Sequence, residues 1–83
     1  MTIEARELYC YVTGTKPFCD EIDKIIKEMK QSPNEEYYKA RLRIAGVLGK
    51  AMSQYKHDFG YWFSYMDEDA VQYKILNEIY PII

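Results

Sequence analysis

The fold is decided by residues 32–59, which read SPNEEYYKARLRIAGVLGKAMSQYKHDF. The stretch opens on a capping box, in which the Ser32 hydroxyl accepts a hydrogen bond from the backbone N–H of Glu35 and the Glu35 carboxylate reaches back to Ser32. Pro33 follows at the first helical position, where its missing N–H leaves no helical hydrogen bond unmade. These signals predict one long helix that begins at Ser32 and continues to Phe59.

Apolar residues recur along this stretch at steps of three and four, which places them on one face of a helix. That face comprises Tyr38, Leu42, Ala45, Leu48, Met52, Tyr55 and Phe59, widened by Tyr37, Ile44 and Ala51. An apolar arc this broad is more than one partner helix covers. Gly46 and Gly49 each cost about 0.8–1 kcal/mol relative to alanine inside a helix. We therefore expect another backbone to cross the helix there, with a helix broken at a glycine as the alternative.

A second helix is predicted over residues 17–31, where acidic residues crowd the first turn and lysines the last, as the helix dipole favours. Its core face is Phe18, Ile22, Ile25, Ile26 and Met29. Only Ser32 separates it from the long helix, so the two are expected to fold back as an antiparallel hairpin.

The two ends of the chain also read as helices. Residues 2–13 have helical spacing with Thr2 as a cap and Gly14 as a left-handed terminator, although the strand formers at 8–13 leave a strand open. A last helix is predicted from about Asp67 to Tyr80, before Pro81. Its buried side would be Val71, Ile75, Leu76 and Ile79.

Residues 59–66 are the most aromatic part of the chain. Gly60 can end the long helix, and Ser64 or Asp67 can cap the next one. The alternation of aromatic residues there also suits a strand, but a lone strand leaves its backbone unpaired, so we expect a packed loop. The predicted fold class is all-α: a small bundle of three to four helices around an antiparallel hairpin of about 17–31 and 33–59, in a single domain spanning 1–83.

Composition narrows the classes of function. The net charge of −2 argues against general affinity for nucleic acid, and no apolar run approaches the length of a membrane span. The N-terminus also lacks a basic stretch followed by an apolar one, so a cytoplasmic protein is expected. Cys10 and Cys19 lack a metal or redox motif, which predicts reduced, half-buried thiols. Phe, Tyr, Met, Ile, Asn and Lys together outnumber Gly, Ala, Arg and Pro. This bias in residue use suggests an AT-rich genome, which fits a phage or bacterial accessory protein.

No pattern in the sequence predicts catalysis, a cofactor or a metal site. Thr13-Gly14-Thr15-Lys16 precedes a helix but has one glycine where a phosphate-binding loop needs two, so a simple turn is expected. His57 and Asp58 are neighbours on a helix and point about 100° apart, so they are not expected to converge on one ion or proton. We expect a non-enzymatic protein.

The remaining signal is an aromatic belt from Tyr55 to Tyr65 followed by an acidic turn, which is typical of a binding hot spot. Phe63 and Trp62 also suit a plug for the open end of the hairpin. The function predicted first is that of a protein-interaction module, which forms homo-oligomers and acts as a phage or bacterial regulator of a host protein. The predicted partner-binding residues are Tyr55, Tyr61, Trp62, Tyr65, Asp67 and Glu68, with the basic strip of Lys39, Arg43 and Lys50 on the long helix.

Two alternatives remain open. A nucleotide-binding protein would stack a base on Tyr9 or Tyr11 and meet a phosphate with Lys16, Lys24 or Arg43 across a subunit boundary. Nucleic-acid binding would use the basic strip, against the net charge of the chain.

Overall fold

The computed structural model describes residues 1–31 and 37–79, and within these ranges it contains four helices and no strand. The helices are α1 (Ile3–Gly14), α2 (Lys16–Gln31), α3 (Tyr37–Phe59) and α4 (Tyr65–Ile79). The predicted all-α bundle is therefore confirmed. The capping box at Ser32–Glu35 and the predicted end of the last helix at Tyr80 lie outside the described residues.

Helix α1 begins where the sequence predicts, because the Thr2 hydroxyl accepts a hydrogen bond of 3.1 Å from the backbone N–H of Ala5. The strand alternative for this segment is wrong. Gly14 remains helical and has no positive φ, so its predicted role as a left-handed terminator is wrong as well. The turn is made by Thr15, whose backbone is extended and whose carbonyl accepts the N–H groups of Phe18 and Cys19, each at 3.0 Å.

Helices α2 and α3 form the predicted antiparallel hairpin. Glu28 near the end of α2 lies 2.6 Å from Arg43 near the start of α3. Further along, Asp20 at the start of α2 lines the same groove as Lys50 in the second half of α3. The predicted core face of α2 is also confirmed: Ile22, Ile25 and Met29 are buried and Phe18 and Ile26 are partly buried.

Helix α3 runs unbroken through both glycines, but its buried face is rotated from the predicted one. The buried residues are Ala40, Ile44, Val47, Leu48, Ala51 and Met52. Four of them, Ile44, Leu48, Ala51 and Met52, belong to the predicted face. The centre of the buried set lies roughly 60° around the helix from the centre of the whole predicted face, at about 100° per residue. Tyr38, Leu42 and Phe59, predicted as core, are exposed. Ala40 and Ala51, both fully buried, lie on the observed face beside Val47, which the predicted face did not include.

The two glycines of α3 do not mark a helix crossing, so that prediction is wrong. Gly46 and Gly49 are both exposed, and a Cβ built on either meets no heavy atom from the neighbouring elements within 4 Å. No close backbone approach within the described chain offsets their conformational freedom.

A short loop, residues 60–64, joins α3 to α4 as predicted. Gly60 adopts the left-handed conformation with φ +73°, and its N–H donates to the Lys56 carbonyl at 2.8 Å, which ends α3. Ser64 then caps α4: its hydroxyl accepts from the Asp67 N–H at 3.2 Å, and the Asp67 carboxylate accepts from the Ser64 N–H at 3.1 Å. This reciprocal pair starts α4 at Tyr65, two residues earlier than expected.

Helix α4 packs against α1 and α3. Thr2 at the start of α1 donates to the Asp67 carboxylate at 3.4 Å, and Tyr9 donates to Glu78 at 3.1 Å, so the two helices run side by side in the same direction. Toward α3, the buried Gln72 side chain accepts from Arg41 Nε at 3.2 Å and donates to the Arg41 carbonyl at 3.1 Å. The predicted core residues Val71, Ile75 and Leu76 are buried between these contacts.

Phe63 lies in the loop yet is only 1% exposed, whereas the adjacent Trp62 is 58% exposed. Truncation of a fully buried aromatic ring destabilises a protein by about 3–5 kcal/mol, while surface substitutions change stability by about 0.5 kcal/mol or less. We therefore expect Phe63→Ala to lower the free energy of unfolding by several kcal/mol and Trp62→Ala to leave it nearly unchanged. Urea unfolding followed by circular dichroism measures both, and equal effects would show that Phe63 does not anchor the loop.

The glycines of α3 and of the loop make a matched pair. Gly60→Ala forces a side chain into a left-handed conformation, which should lower the free energy of unfolding by about 1–2 kcal/mol. Gly46→Ala removes backbone freedom at an open helix position, which should raise the free energy of unfolding by about 0.5–1 kcal/mol. Thermal unfolding should show a lower Tm for the first variant and a higher Tm for the second. A lower Tm for Gly46→Ala would contradict the open environment of that residue.

Candidate functional site

The structure gathers most of the predicted aromatic belt into one cluster. Tyr55 lies at its centre, with ring centroids 4.6 Å from Phe59, 4.7 Å from Phe63 and 6.5 Å from Tyr61. One ring each from α1 and α2 completes it: Tyr11 stands edge-on to Tyr55 at 5.0 Å and lies 5.9 Å from Phe18. We call these six residues the aromatic cluster. The tilted and edge-on geometries are those that aromatic pairs prefer.

The outer side of this cluster is exposed. Phe59 and Tyr61 are exposed members of it. Trp62, which follows Tyr61 in the chain, is also exposed, and so is Ile3, which lines the adjoining cavity. That cavity has a volume of about 240 Å³ and is lined by Ile3, Glu4, Glu7, Tyr55, Tyr61 and Phe63. We call Ile3, Phe59, Tyr61 and Trp62 the aromatic face. Of the two residues predicted to plug the hairpin, Phe63 is buried in the core and Trp62 is exposed.

The rim of the aromatic face is acidic. Glu4 and Glu7 line the cavity, and the Tyr55 hydroxyl donates to Glu7 at 3.4 Å. Burial of the phenol, followed by the nearby charge of Glu7, raises the pKa of Tyr55 above its usual value. The hydroxyl therefore stays protonated at neutral pH and remains a donor, which fixes the position of the ring between the core and the rim.

The rest of the predicted binding set lies elsewhere. Tyr65 and Glu68 line a different groove, between α3 and α4. Asp67 is only 7% exposed, and its carboxylate accepts hydrogen bonds from Ser64 and Thr2. Its prediction as a partner contact is corrected on that ground: Asp67 holds the start of α4 in place.

The groove between α3 and α4 has a volume of about 300 Å³. Tyr38, Arg41, Leu42 and Ala45 form its α3 wall, and Tyr65, Glu68, Asp69 and Gln72 form its α4 wall. Leu42 is 55% exposed there and is flanked by the exposed rings of Tyr38 and Tyr65. Sequence reasoning missed this surface, because it assigned Tyr38 and Leu42 to the core.

The predicted basic strip does not form a continuous positive surface. Arg43 is paired with Glu28, while Lys39 and Lys50 are exposed. The groove of about 390 Å³ beside the strip is lined by carboxylates from α2 as well as by cations: Asp20, Glu21, Lys24, Ile25, Arg43, Gly46, Val47 and Lys50. Mixed charges of this kind do not provide the positive field that a phosphate backbone requires.

The residues predicted for a nucleotide are not brought together within one chain. Tyr9 packs on α4, with Lys74 Nζ 5.0 Å from its ring centroid, and Tyr11 belongs to the aromatic cluster. Lys24 and Arg43 share the α2–α3 groove, and Lys16 is exposed at the start of α2. A site completed at a subunit boundary stays a prediction.

The described residues contain no group of three His, Cys, Asp or Glu side chains that could hold a metal ion. His57 Nδ1 does lie 3.1 Å from the Asp58 carboxylate, so these neighbours meet, contrary to expectation. Hydrogen bonds from Gln54 and then His57 lower the pKa of Asp58.

Two further candidates are settled by their positions. Cys10 is exposed rather than half-buried. Thr13 and Gly14 are helical, which excludes a phosphate-binding loop there.

The geometry therefore leaves apolar side chains exposed on the aromatic face, in the α3–α4 groove and on the outer surface of α4, where Met1, Tyr65, Met66 and Tyr73 line a shallow cavity of about 500 Å³. Across residues 1–31 and 37–79, no helix combines the length and the apolar character needed to cross a membrane. Comparison with known proteins found no matching family, no matching curated protein and no matching solved structure. A function for this chain has to be argued from its own surfaces.

Proposed function

We propose that this chain is a non-enzymatic protein-interaction module that binds its partner through the aromatic face. The observation that carries the proposal is the exposure of Phe59, Tyr61 and Trp62. Tyr61 also lines a cavity together with the partly buried Tyr55 and the buried Phe63. Large aromatic side chains dominate binding energy at protein interfaces when they are surrounded by residues that exclude water. Here the rings of Tyr55 and Phe63 provide the apolar floor.

Two rings of the aromatic face, Phe59 and Tyr61, are held by ring contacts before any partner arrives. The Tyr61 ring stands edge-on to Phe63 at 5.0 Å and to Tyr55 at 6.5 Å, and Phe59 lies 4.6 Å from Tyr55. Because side chains that are already ordered lose little conformational freedom on binding, such a surface binds more tightly for the same contacts. Ordered rings of this kind make a better docking surface than a mobile aromatic loop would.

Charge indicates the chemistry of the partner. Glu4 and Glu7 lie at the rim of a cavity of about 240 Å³, which accommodates one apolar side chain. A partner segment with an apolar residue flanked by Lys or Arg is complementary to this surface in shape and in charge. Small size and an AT-rich residue bias favour a phage or bacterial accessory protein that modulates a host protein, and the free thiols suit the cytoplasm.

The proposal is tested by affinity capture from a bacterial lysate with matched variants. Trp62→Ala and Tyr61→Ala remove exposed rings from the aromatic face, and Tyr73→Ala removes an exposed ring from the outer surface of α4. We expect the first two to reduce the captured partner by roughly tenfold or more, as hot-spot truncations do, and Tyr73→Ala to leave capture unchanged.

Circular dichroism spectra of all three variants establish that the helices are intact. A second readout is charge: Glu4→Lys with Glu7→Lys should weaken capture, and high salt should weaken capture by the parent protein. Capture that survives the loss of Trp62 and Tyr61, or that Tyr73→Ala abolishes equally, would contradict binding through the aromatic face.

A further inference from the structure

We infer that the α3–α4 groove is the interface of a two-fold symmetric homodimer, in which α3 of each copy covers α4 of the other. The groove shares no residue with the aromatic face, so this inference does not depend on the proposed function. Its occupant is a second copy of the chain.

The first observation is an uncovered apolar strip. Leu42 lies midway along the α3 wall, with Tyr38 beside it and Tyr65 on the opposite wall, and all three are exposed. The four helices already contact one another around a single core. A chain of 83 residues is near the size at which one core is only marginally sufficient, and association is a usual remedy.

The second observation is that the two walls carry opposite charges. Arg41 lies on the α3 wall, and Glu68 and Asp69 lie on the α4 wall. Arg41 Nη2 is 3.9 Å from the Asp69 carboxylate, at the limit of an ion pair, and their side chains are 52% and 54% exposed. Both groups therefore keep hydrogen-bonding capacity that faces outward.

These two observations select one arrangement of the copies. A two-fold interface places the same patch on both subunits, so the patch has to complement itself. When the two-fold axis runs along the groove, the basic α3 wall of one copy faces the acidic α4 wall of the other, and the apolar strips meet between them. In the other two-fold arrangement α3 faces α3 and α4 faces α4 of the second copy. Glu68 and Asp69 of the two copies then lie opposite each other, and the repulsion between their carboxylates is unfavourable.

Sedimentation equilibrium with charge-reversal variants tests this arrangement. We expect the parent protein to be a dimer. Arg41→Glu makes both walls acidic and Glu68→Lys with Asp69→Lys makes both walls basic, so each variant should be monomeric. The triple variant, Arg41→Glu with Glu68→Lys and Asp69→Lys, restores opposite walls and should dimerise with itself. It should not exchange into dimers of the parent protein, because like charges then face each other.

Two controls separate interface effects from folding effects. Lys50→Glu reverses an exposed charge in the α2–α3 groove and should leave the dimer intact. Leu42→Gln changes the apolar strip without changing charge and should yield a monomer with an unaltered circular dichroism spectrum. A parent protein that stays monomeric at millimolar concentration, a dimer that survives Leu42→Gln, or a triple variant that mixes freely with the parent would overturn the inference.

Discussion

Burial of Phe63 is the interaction on which the rest of the structure depends. The five-residue loop that carries it is fixed at one end by the left-handed Gly60 and at the other by the reciprocal hydrogen bonds of Ser64 and Asp67. Because the ring occupies the core at 4.7 Å from Tyr55, α4 has to leave the loop alongside α1 and α3. The neighbouring Tyr61 packs edge-on to Phe63 and stays 45% exposed, and Trp62 is 58% exposed, so the aromatic face adjoins the point where the core is closed.

Much of the fold follows from local signals that the sequence carries. Thr2 caps α1 and Gly60 ends α3 by hydrogen bonds within one helical turn, and the spacing of the isoleucines in α2 marks its core face. The buried face of α3 does not follow in this way. Its apolar arc is wide enough for several choices, and which part is buried depends on where the other three helices pack, which no spacing within α3 specifies.

The candidate site shows the same limit. The ring contacts of Tyr55 with Phe59 and Phe63 could be expected from their closeness in the chain, but Tyr11 and Phe18 join them only through tertiary packing. Asp67 looks like part of an acidic binding turn in sequence, whereas the capping bonds to Ser64 and Thr2 withdraw it from the surface. The rotation of α3 that exposes Leu42 also creates the α3–α4 groove, so the error in the predicted core and the unpredicted surface have one cause.

The aromatic face and the α3–α4 groove lie toward opposite ends of α3, and their separation bears on the two proposals made above. Leu42 and Phe59 are separated along one continuous helix by about 25 Å at 1.5 Å per residue. Two copies joined through the α3–α4 groove therefore leave both aromatic faces open. If the dimer and the aromatic-face interaction proposed above both hold, a particle with two such faces would engage a dimeric or repetitive partner with an effective concentration set by its geometry. Modest affinity at each cavity of about 240 Å³ would then become tight binding overall.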